Sequence, residues 1–334
     1  MIEGRPVRVC VDVAGGDHAP TEILAGVMSA SSAEQELDII LTGPEDIVVP
    51  FAAERERVTA HPTTEVILMD EHPASAVRSK KDSSIVVGCR LVREGAADAF
   101  FSAGSTGACM AAGTLMMGRI AGVARPAIAT VIPTTASPTV LLDVGANADC
   151  KPEHLLAFAH MGRAYAETVL GITGPTVALL NIGEEPTKGS TLAIEAHALM
   201  TTGVSRFCGN IEGRDILTGA VDVIVTDGFT GNVALKLLEG TSRTLLAQVK
   251  EAMTSSPLNR MAAAVLAPSL KALKKRLDPD TYGGAPLLGV NGVCIIGHGS
   301  SNASAVAAGI GVAARAARAD LPSRIAAAVD PATS

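Results

Sequence analysis

The segment from Thr139 to Gly189 limits the possible folds of this chain more than any other. Two short apolar runs, Thr139–Leu142 and Thr176–Leu180, bracket an amphipathic stretch of helical length. Apolar runs of about four to eight residues around a helical pattern read as buried parallel strands joined by a crossover. Pro152 falls in the first helical turn, where a missing N–H costs nothing, and Gly171 stands where a left-handed residue ends a helix. Each strand runs into a polar, glycine-bearing loop: Asp143-Val144-Gly145-Ala146-Asn147 and Asn181-Ile182-Gly183-Glu184-Glu185. Parallel strands share a carboxyl edge, and open α/β sheets bind their ligands there.

The unit recurs. Val7–Val13 leads into Gly15-Gly16-Asp17-His18-Ala19-Pro20, and Asp98–Phe101 into Ser102-Ala103-Gly104-Ser105-Thr106-Gly107. Val221–Val225 leads into Thr226-Asp227-Gly228-Phe229-Thr230-Gly231-Asn232, and Val293–Ile296 into Gly297-His298-Gly299-Ser300-Ser301-Asn302. Strand, small polar loop, helix is the grammar of a doubly wound α/β sheet. We expect one large α/β domain over residues 1–320 and a small-residue, frayed tail over 321–334. Small polar residues at a helix start expose backbone N–H groups to an anion, with the helix dipole in support. One such loop is an ordinary tight turn. Several converging on one edge, as expected here, point to phosphate or carboxylate binding. Arg78-Ser79-Lys80-Lys81-Asp82-Ser83-Ser84, just before a helical pattern at Ile85–Val92, adds cationic side chains.

Composition narrows the chemistry. Aromatics make up 2% of the chain, Trp is absent and the net charge is −7, which excludes a stacking, phosphate-neutralising nucleic-acid binder. The six cysteines are scattered without a C-x-x-C pair, so neither a zinc site nor a disulfide framework is expected, and a reducing cytoplasm is. No apolar run approaches a membrane span. G-x-G-x-x-G after a strand, G-x-x-x-x-G-K-[ST] and G-x-S-x-G are all missing, as is a His followed four residues on by Asp. Cys109, in a Gly/Ala-rich turn, has no His marked to activate it. Neither metal nor cofactor is expected.

Residues 240–282 differ in texture. Leu245, Leu246 and Val249 suggest a helix that breaks near Ser255-Ser256-Pro257. Met261, Val265, Leu266, Leu270, Leu273 and Leu277 then line one side of a second helix, which Pro268 should bend. Lys271, Lys274, Lys275 and Arg276 make it basic. Residues 250–282 therefore read as a helical hairpin that meets a membrane surface, an acidic partner or a twin subunit.

In order, Gly15-Gly16-Asp17-His18-Ala19-Pro20, Lys80-Lys81-Asp82-Ser83-Ser84, Ser102-Ala103-Gly104, Asp143–Asn147, Asn181–Glu185, Gly209-Asn210-Ile211-Glu212-Gly213, Asp227–Asn232, Tyr282–Gly289 and His298-Gly299-Ser300-Ser301 resemble the motifs of the bacterial PlsX phosphate acyltransferases. Ser105 departs from the family's usual Asn. The resemblance implies a Rossmann-like α/β/α sandwich akin to phosphotransacetylases and isopropylmalate-type dehydrogenases. It also implies a cytoplasmic, membrane-associated homodimer. Such enzymes move a long-chain acyl group from acyl carrier protein onto inorganic phosphate, and the product feeds a membrane glycerol-3-phosphate acyltransferase in phospholipid synthesis. A short-chain acyl-CoA enzyme and a non-catalytic membrane scaffold are the competing readings.

The residue chemistry suits such a reaction. Phosphate is already an anionic nucleophile, so the protein has only to hold it beside a thioester and stabilise the oxyanion. Lys188 and Asn232 are the expected catalytic groups, with His298 protonating the leaving thiolate. Gly15, Gly16, Asp17, His18, Lys80, Lys81, Ser83, Gly104, Ser105, Thr106 and Ser300 are expected substrate-binding residues. So are Asn147, Asn181, Glu184, Gly228, Thr230 and Gly231, with Asp143 and Asp227 fixing loops rather than acting as bases.

Overall fold

A computed structural model describes residues 5–134, 136–277 and 282–330. The first half alternates β1 (Val7–Asp12), α1 (Thr21–Ala33), β2 (Leu37–Gly43), α2 (Glu45–Ala53) and β3 (Val58–Pro62). There follow α3 (Pro73–Ser79), α4 (Ser84–Arg93), β4 (Ala99–Ser102) and α5 (Thr106–Ala112). The second half runs β5 (Ala127–Ile132), β6 (Thr139–Leu142), α6 (Pro152–Thr168), β7 (Val177–Asn181), α7 (Thr191–Gly203), β8 (Phe207–Glu212) and β9 (Val223–Val225). Two long helices, α8 (Gly228–Thr254) and α9 (Pro257–Leu277), precede β10 (Ala285–Leu288), β11 (Val293–Ile296), α10 (Ala303–Arg318) and α11 (Leu321–Val329).

The described strands form one sheet in the order β3-β2-β1-β4-β11-β10-β5-β6-β9-β7-β8, with helices on both faces. β3, β2, β1, β4 and β11 are mutually parallel. So are β6, β9, β7 and β8. Between these blocks three successive pairings, β11/β10, β10/β5 and β5/β6, are antiparallel. Three reversals leave the blocks pointing in opposite directions. The sheet is thus doubly wound twice over, once in each block. The loops expected to share one edge are divided between two.

With few aromatics, the two central phenylalanines are seated by glycines. Gly88 on α4 and Gly309 on α10 face the rings of Phe100 and Phe101 so closely that a Cβ at either position would strike the ring. Burying each ring contributes about 2–3 kcal/mol.

Several local readings are met. Pro152 opens α6 and Gly171, after its end, has φ +72°. The break at Ser255-Ser256 separates α8 from α9, and α9 continues through Pro268 without interruption. The segment after Ala319 differs from the expected frayed tail: it forms α11 and buries Leu321 and Ile325. Residues 331–334 lie outside the described residues, as do 278–281 of the expected hairpin and the side chains of Leu258, Leu270, Leu273, Lys274, Lys275, Arg276 and Leu277.

Candidate active site

Two loop clusters stand at the carboxyl ends of the two blocks. The first joins the loops after β6, β9 and β7, which are neighbours in the sheet. Its centre is Asp143, fully buried at the end of β6. One carboxylate oxygen accepts from the N–H groups of Ile128, Gly145 and Ala146 at 3.1, 3.2 and 3.0 Å. The other accepts from the N–H of Asn147 at 2.7 Å and from its Nδ2 at 2.9 Å. Burial raises the pKa of the Asp143 carboxyl even so. The side chain therefore shapes the Val144–Asn147 loop, as the sequence suggested.

The β9 loop packs directly on this knot. Gly228 donates its N–H to the Asn147 carbonyl at 2.8 Å, and a Cβ there would lie 2.7 Å from the Asp143 carboxylate. Gly231 is pressed against the Asp143 carbonyl with no room for a side chain. Asp227 caps α8, accepting from the Thr230 N–H at 2.9 Å and its hydroxyl at 2.8 Å. A Cβ on Gly145 would lie 3.8 Å from the side chain of Asn232.

In the β7 loop, Asn181 donates to the Lys188 carbonyl at 3.0 Å and accepts from the Ile182 N–H at 2.9 Å. Asn147 likewise spends its amide nitrogen on Asp143 and on the Pro126 carbonyl. Both asparagines therefore build loops, whereas the exposed amide of Asn232 forms no hydrogen bond among the described residues. Lys188 lays its stem over Gly183, and its ammonium pairs with no carboxylate among the described residues. Glu184 instead meets Arg214 at 3.7 Å. A cleft of about 240 Å³ opens between the β7 and β9 loops, lined in part by Asn181, Asp227 and Thr230.

The second cluster joins the loops after β1, β4 and β11 at the opposite end of the sheet. Here the centre is Asp12, a residue not singled out in the sequence. It is fully buried and accepts from the Ser102 hydroxyl at 2.7 Å, the Ala14 N–H at 3.0 Å and the Ser84 hydroxyl. Burial raises its pKa as it does that of Asp143. Ser102 in turn accepts from the Gly104 N–H at 3.0 Å. Gly15 abuts Asp12 and Gly104, and Gly16, with φ +106°, lies beneath the Gly299 carbonyl. That carbonyl accepts from the Asp17 N–H at 2.7 Å, tying the β1 loop to the β11 loop.

The remaining expected residues of this edge have local partners. His298 pairs through Nδ1 with the Ser300 hydroxyl at 2.8 Å. Ser105 caps α5 through the Ala108 N–H at 3.4 Å, so its short hydroxyl serves the helix that Thr106 begins. Ser83 donates to the Lys80 carbonyl at 2.8 Å. The Lys80 ammonium is held by Glu71 at 2.6 Å and the Val66 carbonyl at 2.7 Å, while Lys81 and His18 are exposed. Cys109 is fully buried, and desolvation lifts its thiol well above the usual range, so it is no nucleophile.

The structure thus brings Lys188, Asn232, Asp143, Asn147, Asn181, Glu184, Asp227, Gly228, Thr230 and Gly231 together. It sets Gly15, Gly16, Asp17, His18, Lys80, Lys81, Ser83, Gly104, Ser105, Thr106, His298 and Ser300 apart from them. The expected trio of Lys188, Asn232 and His298 is accordingly split, because the antiparallel strands at the middle of the sheet reverse one block. A signal for Asp12 was present: Asp12-Val13-Ala14-Gly15 and Asp143-Val144-Gly145-Ala146 repeat one pattern of an aspartate ending a strand before small residues. Among the described residues no group of His, Cys, Asp and Glu is arranged to hold a metal ion, and no helix is long and apolar enough to cross a membrane.

Comparison with known proteins agrees with this architecture. The chain is similar to a phosphotransacetylase from Streptococcus pyogenes (TM-score 0.62, 17% identity, 94% of each chain) and to the EutD phosphotransacetylase of Staphylococcus aureus (TM-score 0.60, 17% identity, 93% of this chain and 94% of that one). At that identity the likeness concerns the fold. In sequence it is 52% identical over 305 residues to a phosphate acyltransferase of Heliobacterium modesticaldum, covering 90% of this chain and 91% of that protein. It is 49% identical to a phosphate acyltransferase of a Geobacillus species, covering 90% and 92%. Residues 7–324 match the family described as "Fatty acid synthesis protein". On these grounds the chain belongs to the PlsX family of phosphate acyltransferases and is an acyltransferase enzyme.

Proposed function

We propose that the β6–β9–β7 loop cluster transfers a long-chain acyl group from acyl carrier protein to inorganic phosphate. The observation that carries this is a cation in the β7 loop and an amide at the start of α8, Lys188 and Asn232, both exposed and uncommitted among the described residues, while Asp143 and Asp227 are tied into loops and Gly189 and Thr230 of the same two segments line a cleft. A phosphate oxygen attacks the thioester carbonyl and the C–S bond breaks. The proton of hydrogen phosphate passes to the departing thiolate, giving acyl phosphate and free carrier thiol. The step closes without a general acid from the chain, so the distance of His298 from Lys188 is no obstacle. Lys188 and Asn232 bind phosphate and stabilise the oxyanion. The acyl phosphate then serves a membrane glycerol-3-phosphate acyltransferase in phospholipid synthesis.

The test is direct. Purified protein with hexadecanoyl-acyl carrier protein and labelled phosphate should form acyl phosphate in the presence of chelator, and faster than with hexadecanoyl-CoA. Turnover abolished by chelator, or a preference for the CoA donor, would reject the reading.

The α8–α9 hairpin supports a homodimer resting on the membrane surface of the cytoplasm. Leu237, Leu245, Met261 and Val265 are 67%, 59%, 71% and 79% exposed, an apolar surface that a second copy and lipid would cover. The basic run from Lys271 to Arg276 suits anionic lipid, at about 1 kcal/mol per residue near the surface. Replacing Lys271, Lys274, Lys275 and Arg276 with Glu should cut pelleting with phosphatidylglycerol vesicles by about two orders of magnitude or more. High salt should do the same to the unaltered protein. A quadruple variant that unfolds, alongside an intact protein that ignores vesicles, would make the hairpin purely structural.

A further inference from the structure

We propose that the cleft between the β7 and β9 loops holds the first stretch of the donor's acyl chain, and that Ala193 on α7 gauges it. This rests on the acyl-transfer reading above and adds to it where the chain lies and what limits it. The lining is of two kinds. Asn181, Ser190, Thr226, Asp227 and Thr230 supply its polar groups, and Leu155, Leu179, Leu180, Leu192 and Ala193 its apolar ones, with Gly189, the residue after Lys188, also in the lining. Leu155 and Leu179 are 2% and 1% exposed, so the floor is continuous with the core. Ile182 lies at the mouth and is 80% exposed.

That polarity fits a thioester whose carbonyl faces the polar groups and whose tail lies along the apolar ones. A free phosphate has no use for such walls, and a nucleotide would find no aromatic side chain or cation among them. A methylene is close in size to a water molecule, whose share of liquid volume is about 30 Å³. The 240 Å³ cleft therefore takes on the order of eight carbons, and a longer chain leaves past Ile182.

Ala193 carries the smallest side chain of the lining, so a larger residue there takes up cleft space. It sits in the first turn of α7, its N–H bound to the Ser190 hydroxyl at 3.3 Å, and a Cβ on neighbouring Gly189 would lie 3.0 Å from its own. Each buried methylene is worth roughly a fourfold change in affinity. A phenylalanine at 193 that displaces about three methylenes should therefore lower kcat/KM for a hexadecanoyl carrier donor roughly fiftyfold. A butyryl donor, which does not reach so far, should change less than about twofold. Ile182→Glu keeps the fold, because its side chain is in solvent, and should penalise only the long donor.

The experiment measures kcat/KM for butyryl and hexadecanoyl carrier donors with wild type, Ala193→Phe and Ile182→Glu. It adds thermal melts and direct binding of a dansyl-labelled undecanoate, which needs no turnover. The expected result is long-chain loss and at least tenfold weaker probe binding in folded variants. Unchanged probe binding and an unchanged ratio of the two donors in both variants would overturn the proposal. If wild type turns over no thioester while the variants still lose the probe, the cleft stands and the acyl-transfer reading falls.

Discussion

Lys188→Ala is expected to lower kcat/KM for acyl phosphate formation by about two to three orders of magnitude, with the urea midpoint unchanged. The magnitude follows from an oxyanion-side donor, worth about 3–4 kcal/mol in the transition state. The fold should survive because the loop is held by other groups: Asn181 grips the Lys188 carbonyl, which alanine keeps, and the ammonium itself is exposed. Lys80 supplies the contrast. Its charge is already neutralised by Glu71, so Lys80→Ala should disturb the Val66–Glu71 loop more than the chemistry. Steady-state kinetics with saturating and limiting phosphate separate binding from turnover. A Lys188→Ala enzyme within threefold of wild type would remove this residue from the site.

Asp143→Ala is expected to cost about 3–5 kcal/mol of folding stability and to abolish activity in whatever folds. Five donors, four backbone N–H groups and the Asn147 amide, lose their acceptor at once. An orphaned buried donor costs about 1–3 kcal/mol, and those nearest the surface recover part of it from water. The loss is a large share of the 5–15 kcal/mol that ordinary domains possess. Asp143→Asn should fall between, since it keeps one acceptor oxygen but turns an NH₂ group toward N–H donors. Urea melts with an unchanged slope would report it. A full-stability Asp143→Ala protein would mean that the knot of hydrogen bonds is not what orders the loop.

The local grammar of the fold was legible in the sequence. Short apolar runs gave strands, Pro152 a helix start, Gly171 a helix end, and each glycine loop a strand-to-helix turn. Strand direction was not legible. β10 is antiparallel to both β11 and β5, so its two reversals cancel, and the block is turned over by the antiparallel pairing of β6 with β5, a strand over Ala127–Ile132 that was not singled out in the sequence. Hence the candidate residues read as one constellation and fold as two. Asp12 was passed over for a related reason: it looks like the polar end of a strand, and its partners Ser84 and Ser102 arrive from remote elements. The pairing of Lys80 with Glu71 is equally invisible in the charge run that contains it. α11 was missed because it is short, Ala-rich and set next to the chain's small-residue end, and nothing local shows that Leu321 and Ile325 reach the core.

The placing of β10 and β11 bears on how the protein is made. The β4 edge of one block and the β5 edge of the other meet only through this hairpin, whose strands end at Ile296. While the ribosome is still translating residues before it, the nascent chain carries two half-sheets, each with an uncapped inner strand. Open strand edges recruit other chains, and pairings so distant in sequence form slowly. Slowing translation just ahead of residue 285 would lengthen the interval in which those edges stay exposed.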